Sequence, residues 1–286
     1  MQRKLIVEFT KMNGAGNDFI VIDNRFYNFS DDELAAIART CCPRRVGIGA
    51  DGVLAFSTPV DTAHHYRMRY LNADGSVGTM CGNGARCLAR FARNIGFSDE
   101  EMHFESDAGP YRAFVPAAPN GPVRLFVPSP KDWIPNRPLL LDTSTTVGAV
   151  HFLWTGTEHA VCFVNDVNGI PVQEWGPAIR NDQALAPAGA NVDFVQVLSE
   201  GSAVEAAVLQ VRTFEKGVEQ ETLACGTGAL ASAFVARFLG YIQRNTVQVH
   251  MPGGMLTVGF DLKGETVRDV YLEGPAVSVY RGTFEL

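Results

Sequence analysis

The chain lacks any long uncharged apolar run. No stretch of its 286 residues approaches the roughly 20 apolar residues of a membrane-spanning helix. Met1 to Lys11 holds only Leu5, Ile6 and Val7 as an apolar cluster, so neither a span nor a signal peptide is expected, and a cytoplasmic location is. Basic charge is also scarce. Lys and Arg number 24 against 31 Asp and Glu, a net charge of −7, which argues against nucleic acid or an anionic membrane surface as main partner. A small anion held by local N–H groups remains compatible with that charge. Metal-type cysteine spacing is missing too: six cysteines (41, 42, 81, 87, 162, 225) form no CxxC pair and none lies at zinc spacing from a histidine. A disulfide scaffold and structural zinc are therefore not expected, and Cys41, Cys42, Cys87 and Cys162 read as small core or near-surface residues. What remains is an ordinary globular composition, 46% hydrophobic and 19% charged, in a chain long enough for two domains.

One stretch is present twice. Cys81 to Phe97 reads CGNGARCLARFARNIGF and Cys225 to Tyr241 reads CGTGALASAFVARFLGY; aligned on cysteine, eight of seventeen positions are identical, 144 residues apart. A repeat of that kind sets the architecture before any single motif does. Each copy reads as a helix start. Gly82 and Gly84, like Gly226 and Gly228, allow close backbone approach to a ligand. An apolar series at helical spacing follows, stopped by Gly96 or Gly240. A helix N-terminus holds a carboxylate or phosphate well, and its field favours thiolate at the cysteine placed there.

Around these units, residues 4–9 and 19–23 read as strands joined by a glycine-rich loop, Met12 to Asp18. Gly189 to Phe194 resembles Gly16 to Phe19, which pairs Asn17 with Asn191 as matching places in the repeat. Ser30 with Glu33 forms a capping box for a helix over 31–40. Arg44 to Gly52 is a second glycine-rich turn, leading into a strand at 53–56. Residues 65–71 and 206–214 alternate as matching strands, the first running into the turn Asn72-Ala73-Asp74-Gly75 and the second into Glu215. Further strands are expected around 125–127, 147–154, 160–164 and 276–284. Strands with only a few helices point to an α+β organisation rather than a parallel βαβ sheet. Seven prolines from Pro116 to Pro138, with Pro110 just ahead, mark the crossover between halves.

Two thiols, each at a helix N-terminus, fit a proton transfer at a carbon that carries a carboxylate. A thiolate removes the α-hydrogen from one face and a thiol protonates the other, each contributing roughly 10²–10⁴-fold. The helix field supplies about 0.3–1 kcal/mol, up to ~2 in partly buried sites. That moves a thiol from about 8.5 by no more than about one pKa unit, so a closed, dry site must supply the rest. Pyridoxal phosphate chemistry needs a Schiff-base lysine, and none of Lys4, Lys11, Lys131, Lys216 and Lys263 stands in such a context. No cofactor and no metal are expected.

The ordered motifs KMNGAGNDFIVID (11–23), RRVGIGADG (44–52), NADGS (72–76), MCGNGARC (80–87), NVDFV (191–195), FEKG (214–217) and ETLACGTGA (221–229) resemble the diaminopimelate epimerase family over nearly the whole chain. That resemblance implies an isomerase of LL- and meso-diaminopimelate, serving lysine and cell-wall synthesis without a cofactor. It implies two pseudo-symmetric α+β halves, each a mixed or antiparallel sheet wrapped around a central helix, with the site in the cleft between them. The halves are expected at 1–125, joined by a strand from 276–286, and at 126–275. The family's catalytic cysteines fall on Cys81 and Cys225. Its substrate contacts fall on Asn17, Asn72, Asn191, Glu215 and Lys216, and its carboxylate-binding backbone on Gly82-Asn83 and Gly226-Thr227. His159 and Glu215 match residues that tune and orient the reacting centre; Gly52 and Thr157 are further candidates. The substrate is a small amino acid, and a homodimer is the candidate assembly.

Two departures bear on substrate choice. The family commonly has Gly-Asn-Pro-His where this chain has Gly156-Thr157-Glu158-His159, and Glu-Arg-Gly where it has Glu215-Lys216-Gly217. Lysine supplies charge without the bidentate fork of arginine. One extra residue also lies in Val218 to Glu221. A related cofactor-independent racemase of another amino acid is the alternative these changes leave open; a non-catalytic binding protein sits poorly with two retained cysteines. Proline racemases typically carry a histidine where Asn83 stands, which counts against that branch.

Overall fold

The computed structural model describes residues 5–141, 147–264 and 266–286, so Lys4 lies outside it. The chain forms two compact units, Met1–Phe126 with Glu273–Leu286, and Val127–Leu272.

In the first unit, β1 (Ile6–Gly14) and β2 (Asn17–Asp23) form an antiparallel hairpin with Gly14 opposite Asn17. Its two-residue turn, Ala15 and Gly16, has φ of 56° and 98°. Two positive φ angles match the twist of the strands and let the ladder run up to the turn. The segment read as a loop over Met12 to Asp18 is therefore mostly strand. A short helix α1 (Asn24–Tyr27) precedes α2 (Asp31–Cys41), whose start carries the capping box read from Ser30 and Glu33. β3 (Gly52–Ser57) then lies parallel to β2, so β2, α2 and β3 form a crossover unit. The expectation against parallel βαβ connections missed this one, because α2 is short and its strands are flanked by antiparallel partners. β4 (Tyr66–Asn72), β5 (Val77–Gly78), α3 (Gly82–Asn94), β6 (Glu101–Ser106), β7 (Gly109–Phe114) and β8 (Val123–Phe126) follow.

The second unit repeats this order. After β9 (Lys131–Ile134) come the hairpin β10 (Val150–Trp154) and β11 (Glu158–Phe163), then α4 (Val172–Arg180), which the sequence reading did not include. β12 (Asn191–Ser199) is parallel to β11 as β3 is to β2. β13 (Ala207–Glu215), β14 (Gln220–Thr222), α5 (Gly226–Phe238), β15 (Thr246–Met251), β16 (Gly254–Lys263) and β17 (Thr266–Gly274) complete it. β13 pairs antiparallel with β12 and β14 and parallel with β15, as β4 pairs with β3, β5 and β6. The last strand, β18 (Val277–Glu285), pairs antiparallel with β1 from Ile6 to Asn13.

Strand register corrects one reading of the repeat. Phe19 sits opposite Gly52, and His159 sits opposite Asn191. By topology, Gly16-Asn17-Asp18-Phe19 therefore matches Gly156-Thr157-Glu158-His159, and Asn191 matches Gly52. Asn17 and Asn191 are not equivalent positions; a short local likeness at two different turns suggested that they were.

Each unit wraps its strands around one helix. α3 contacts β1, β2, β3, β4, β8 and β18, and α5 contacts β10, β11, β12, β13, β15 and β16. Small residues make this possible: Ala85, Ala89 and Ala92 in α3, and Ala229, Ala231, Ala233 and Ala236 in α5, are fully buried. A helix covered on every side is built from small or apolar residues, and its buried polar groups need partners: α3 also buries Arg86 and Arg90, each donating hydrogen bonds. The outer faces carry separate cores, Leu34 and Ile37 of α2 over Ile20, Ile22 and Val53, and Val172 and Ile179 of α4 over Ala160, Val192 and Phe194. Among the described residues no helix is long and apolar enough to cross a membrane.

Candidate active site

Cys81 and Cys225 are the N-cap residues of α3 and α5, with nearly equal backbone angles (φ −132°, ψ 114° and φ −121°, ψ 106°). The repeated CGxGA sequence thus builds the same turn twice. Gly82 and Asn83, and Gly226 and Thr227, are the first residues of the two helices, where N–H groups lack intrahelical partners.

In the first unit, a hydrogen bond reaches Cys81, and three more run in one direction from Arg86 to Asp51. Gly84 N–H donates to Cys81 Sγ at 3.5 Å. The Arg86 guanidinium, fully buried, donates to Asn83 Oδ1 at 2.6 Å. Asn83 Nδ2 donates to Asn17 Oδ1 at 2.6 Å, and Asn17 Nδ2 to Asp51 Oδ2 at 3.0 Å. Arginine only donates and carboxylate only accepts, so both amide orientations between them are dictated. Among the described residues no carboxylate pairs with Arg86, and burial pushes its guanidinium down to about 10, partly offset by Cys87 and Cys81. Asp51 is also held by Arg44, which bridges to Asp18 at 2.6 Å. Asn72 closes its own turn, donating from Nδ2 to Ser76 Oγ at 2.9 Å. Gly52 has a packing reason to be glycine: a Cβ there would lie 2.4 Å from Leu71 O.

The second unit gathers Thr157, Glu158, His159, Asn191, Lys216, Cys225 and Thr227. Cys225 Sγ lies 3.4 Å from Thr227 Oγ1, and Thr155 Oγ1 donates to Thr227 O at 2.8 Å. Lys216 Nζ pairs with Glu158 Oε2 at 2.5 Å, and Thr157 Oγ1 donates to the same oxygen at 3.0 Å. Lys216 N–H donates to Asn191 Oδ1 at 2.7 Å. His159 Nδ1 is 2.6 Å from Asp193 Oδ2 with both side chains fully buried. Burial pushes the Glu215 carboxyl up, and Asp193 adds to the shift.

The field of the helix end does not win at Cys225. Burial, then the charges of Glu215 and Asp193, push its thiol well above the ordinary value, against smaller help from Thr227. Desolvation and two nearby carboxylates outweigh the ~1 kcal/mol of a helix terminus. The sequence reading assigned no role to Arg86, Asp51, Glu158 or Asp193. Only Glu158 left a signal, an acid in the segment that departs from the family pattern just as Lys216 does.

The diaminopimelate epimerase family model matches residues 9–117 and 152–279. The chain belongs to the diaminopimelate epimerase family. It is 41% identical to a diaminopimelate epimerase of Chlorobaculum tepidum over 280 residues, covering 96% of this chain and all of that one. It is 40% identical to that of Methanocella arvoryzae over 295 residues, 98% and 97% of the two chains. Among solved structures, a PhzF-family phenazine biosynthesis protein of Bacillus anthracis superposes with a TM-score of 0.73 at 14% identity, covering 99% of each chain. A hydroxyproline epimerase of Agrobacterium vitis, crystallised with trans-4-hydroxy-L-proline, gives 0.66 at 16%, covering 100% of this chain and 93% of that one. These two share the fold with the diaminopimelate epimerase family member described here.

Proposed function

We propose that this chain is an isomerase interconverting LL- and meso-diaminopimelate in the cytoplasm, with Cys81 and Cys225 exchanging protons with opposite faces of one α-carbon. The observation that carries the reading is the duplicated N-cap cysteine, within a chain that matches diaminopimelate epimerases over 96% of its length. Cys81, as thiolate, takes the α-hydrogen; the electron pair left on carbon spreads into the adjacent carboxylate. Cys225, as thiol, donates its proton from the other side. Cys81 ends protonated and Cys225 ends as thiolate, which is the starting state for the reverse reaction. N–H groups of Gly82, Asn83, Gly226 and Thr227 hold the α-carboxylate, the usual use of exposed helix N-termini.

The electrostatics support this starting state. The buried cation Arg86 interacts favourably with Cys81, while burial, then Glu215 and Asp193, push the Cys225 thiol up, which favours its protonated form. Asn17, Asn72 and Asn191 orient the substrate, and Lys216 takes the distal carboxylate in place of the family's arginine. The test is conversion of LL-diaminopimelate by wild-type protein and by Cys81→Ala and Cys225→Ala. We expect conversion by the wild type alone. A Cys81→Ala protein that still interconverts the isomers, or a wild type that prefers a monocarboxylic amino acid, would end the proposal.

A further inference from the structure

One series of hydrogen bonds in the second unit has only one consistent assignment of protons. Lys216 N is a backbone amide, which can only donate, and it reaches Asn191 Oδ1 at 2.7 Å. The Asn191 amide is therefore turned with Nδ2 toward His159, 3.3 Å from Nε2. An amide NH₂ also only donates, so Nε2 presents a lone pair. The ring proton then sits on Nδ1 and goes to Asp193 Oδ2 at 2.6 Å, while Thr213 Oγ1 donates to Asp193 Oδ1 at 2.7 Å. His159, Asp193 and Thr213 are all fully buried. From these contacts we infer that Asp193 is a positioning residue: it holds His159 in the Nδ1–H tautomer, so that Nε2 keeps the lone pair toward which Asn191 Nδ2, already turned by the Lys216 N–H, donates.

The fold itself does not require this arrangement. By strand register, His159 and Asp193 match Phe19 and Leu54 in the first unit. The same scaffold is thus built there from an apolar pair, and burying an ion or a polar network in its place is costly unless something is gained. The matched glycines agree. A Cβ on Gly84 would meet Leu54 Cδ2 at 3.1 Å, and one on Gly228 would meet Asp193 Oδ1 at 2.4 Å. Asp193 therefore also lies against the first turn of α5, the helix that Cys225 caps. Its effect on rate rests on the epimerase reading; the tautomer does not.

The experiment uses ¹⁵N-histidine-labelled full-length protein, with His159 assigned as the ring signal lost in His159→Gln. Two-bond ¹H–¹⁵N spectra should show the wild-type ring protonated on Nδ1 alone. Asp193→Asn, which can accept or donate toward the ring, should give mixed tautomers and lower kcat/KM by about 10²-fold, the usual cost of a misplaced reacting geometry. The double variant His159→Phe/Asp193→Leu copies the first unit; it should unfold no earlier than wild type and be slow. A wild-type ring protonated on Nε2 overturns the inference. So does an Asp193→Asn protein at wild-type rate, or a double variant that fails to fold, which would make the pair structural. If the wild type does not act on diaminopimelate, the proposed function falls while the tautomer still decides this inference.

Discussion

Replacing Gly228 by alanine places a methyl carbon 2.4 Å from Asp193 Oδ1, 3.1 Å from Thr213 Oγ1 and 3.2 Å from Asp193 Cγ. Asp193 and Thr213 are fully buried on adjacent strands, so neither side chain has room to withdraw. Overpacking of this kind costs about 1–3 kcal/mol. Alanine regains up to about 1 kcal/mol over glycine in a helix. The 2.4 Å contact with a buried carboxylate puts the cost at the upper end of that range, so the net expectation is a second unit about 2 kcal/mol less stable. Gly84→Ala, at the matching repeat position, meets Leu54 Cδ2 at 3.1 Å, a gap that a shift of a few tenths of an ångström relieves, and should cost little. The tryptophans make the assay unit-specific, because Trp133, Trp154 and Trp175 all belong to Val127–Leu272. Denaturant melts followed by tryptophan fluorescence should shift to lower midpoint in Gly228→Ala, and melts followed by circular dichroism, which sees both units, should stay put in Gly84→Ala. A Gly228→Ala protein as stable as wild type, or equal losses in both, would refute the packing argument.

Three more outcomes are expected. Asn17→Asp sets a carboxylate where an amide now donates to Asp51 at 3.0 Å, and should destabilise the first unit by about 1–3 kcal/mol at neutral pH; the facing carboxylates raise the folded-state pKa, so circular-dichroism melts should show the loss shrinking as pH falls toward about 4 and gone below it. Lys216 is paired with Glu158; on the proposed role of Lys216 in taking the distal carboxylate, Glu158→Gln should lower KM for diaminopimelate and Lys216→Gln should raise it, and steady-state kinetics showing both raised would contradict that role. Buried thiols predict alkaline destabilisation: burial pushes Cys42 and Cys87 from 9.0 up to about 12. Unfolded thiols release protons above about pH 9 while folded ones keep them, so stability is full below that pH and falls as pH rises toward 12. Melts at pH 8 and pH 10 should differ by about 1 kcal/mol per such thiol, and equal stability at the two would contradict their burial.

The helix starts at Cys81 and Cys225 and the Ser30–Glu33 box were legible because each depends on residues within one turn of chain. The repeat was legible in its helices and misleading in its strands. Asn17 and Asn191 sit in similar tetrapeptides, yet register pairs Asn191 with His159 and Asn17 stands across the hairpin from Gly14. Nothing local announces that pairing. The His159–Asp193 contact joins residues 34 apart on parallel strands. Arg86 has no reading from sequence, because nothing within the helix marks it for burial; the strands close over it. Its burial, like the upward shift of the Cys225 thiol, is set by what surrounds the helix rather than by the helix.

The account depends on two thiols serving one stereocentre from opposite sides. Its most direct measurement starts LL-diaminopimelate with wild-type protein in deuterated water and follows both isomers at early times. The prediction is solvent deuterium at the α-carbon of the meso product while remaining LL-isomer is still protiated, with the mirror result when meso is the substrate. Early deuterium in the remaining substrate, or product that retains the original hydrogen, would mean that one group does both transfers.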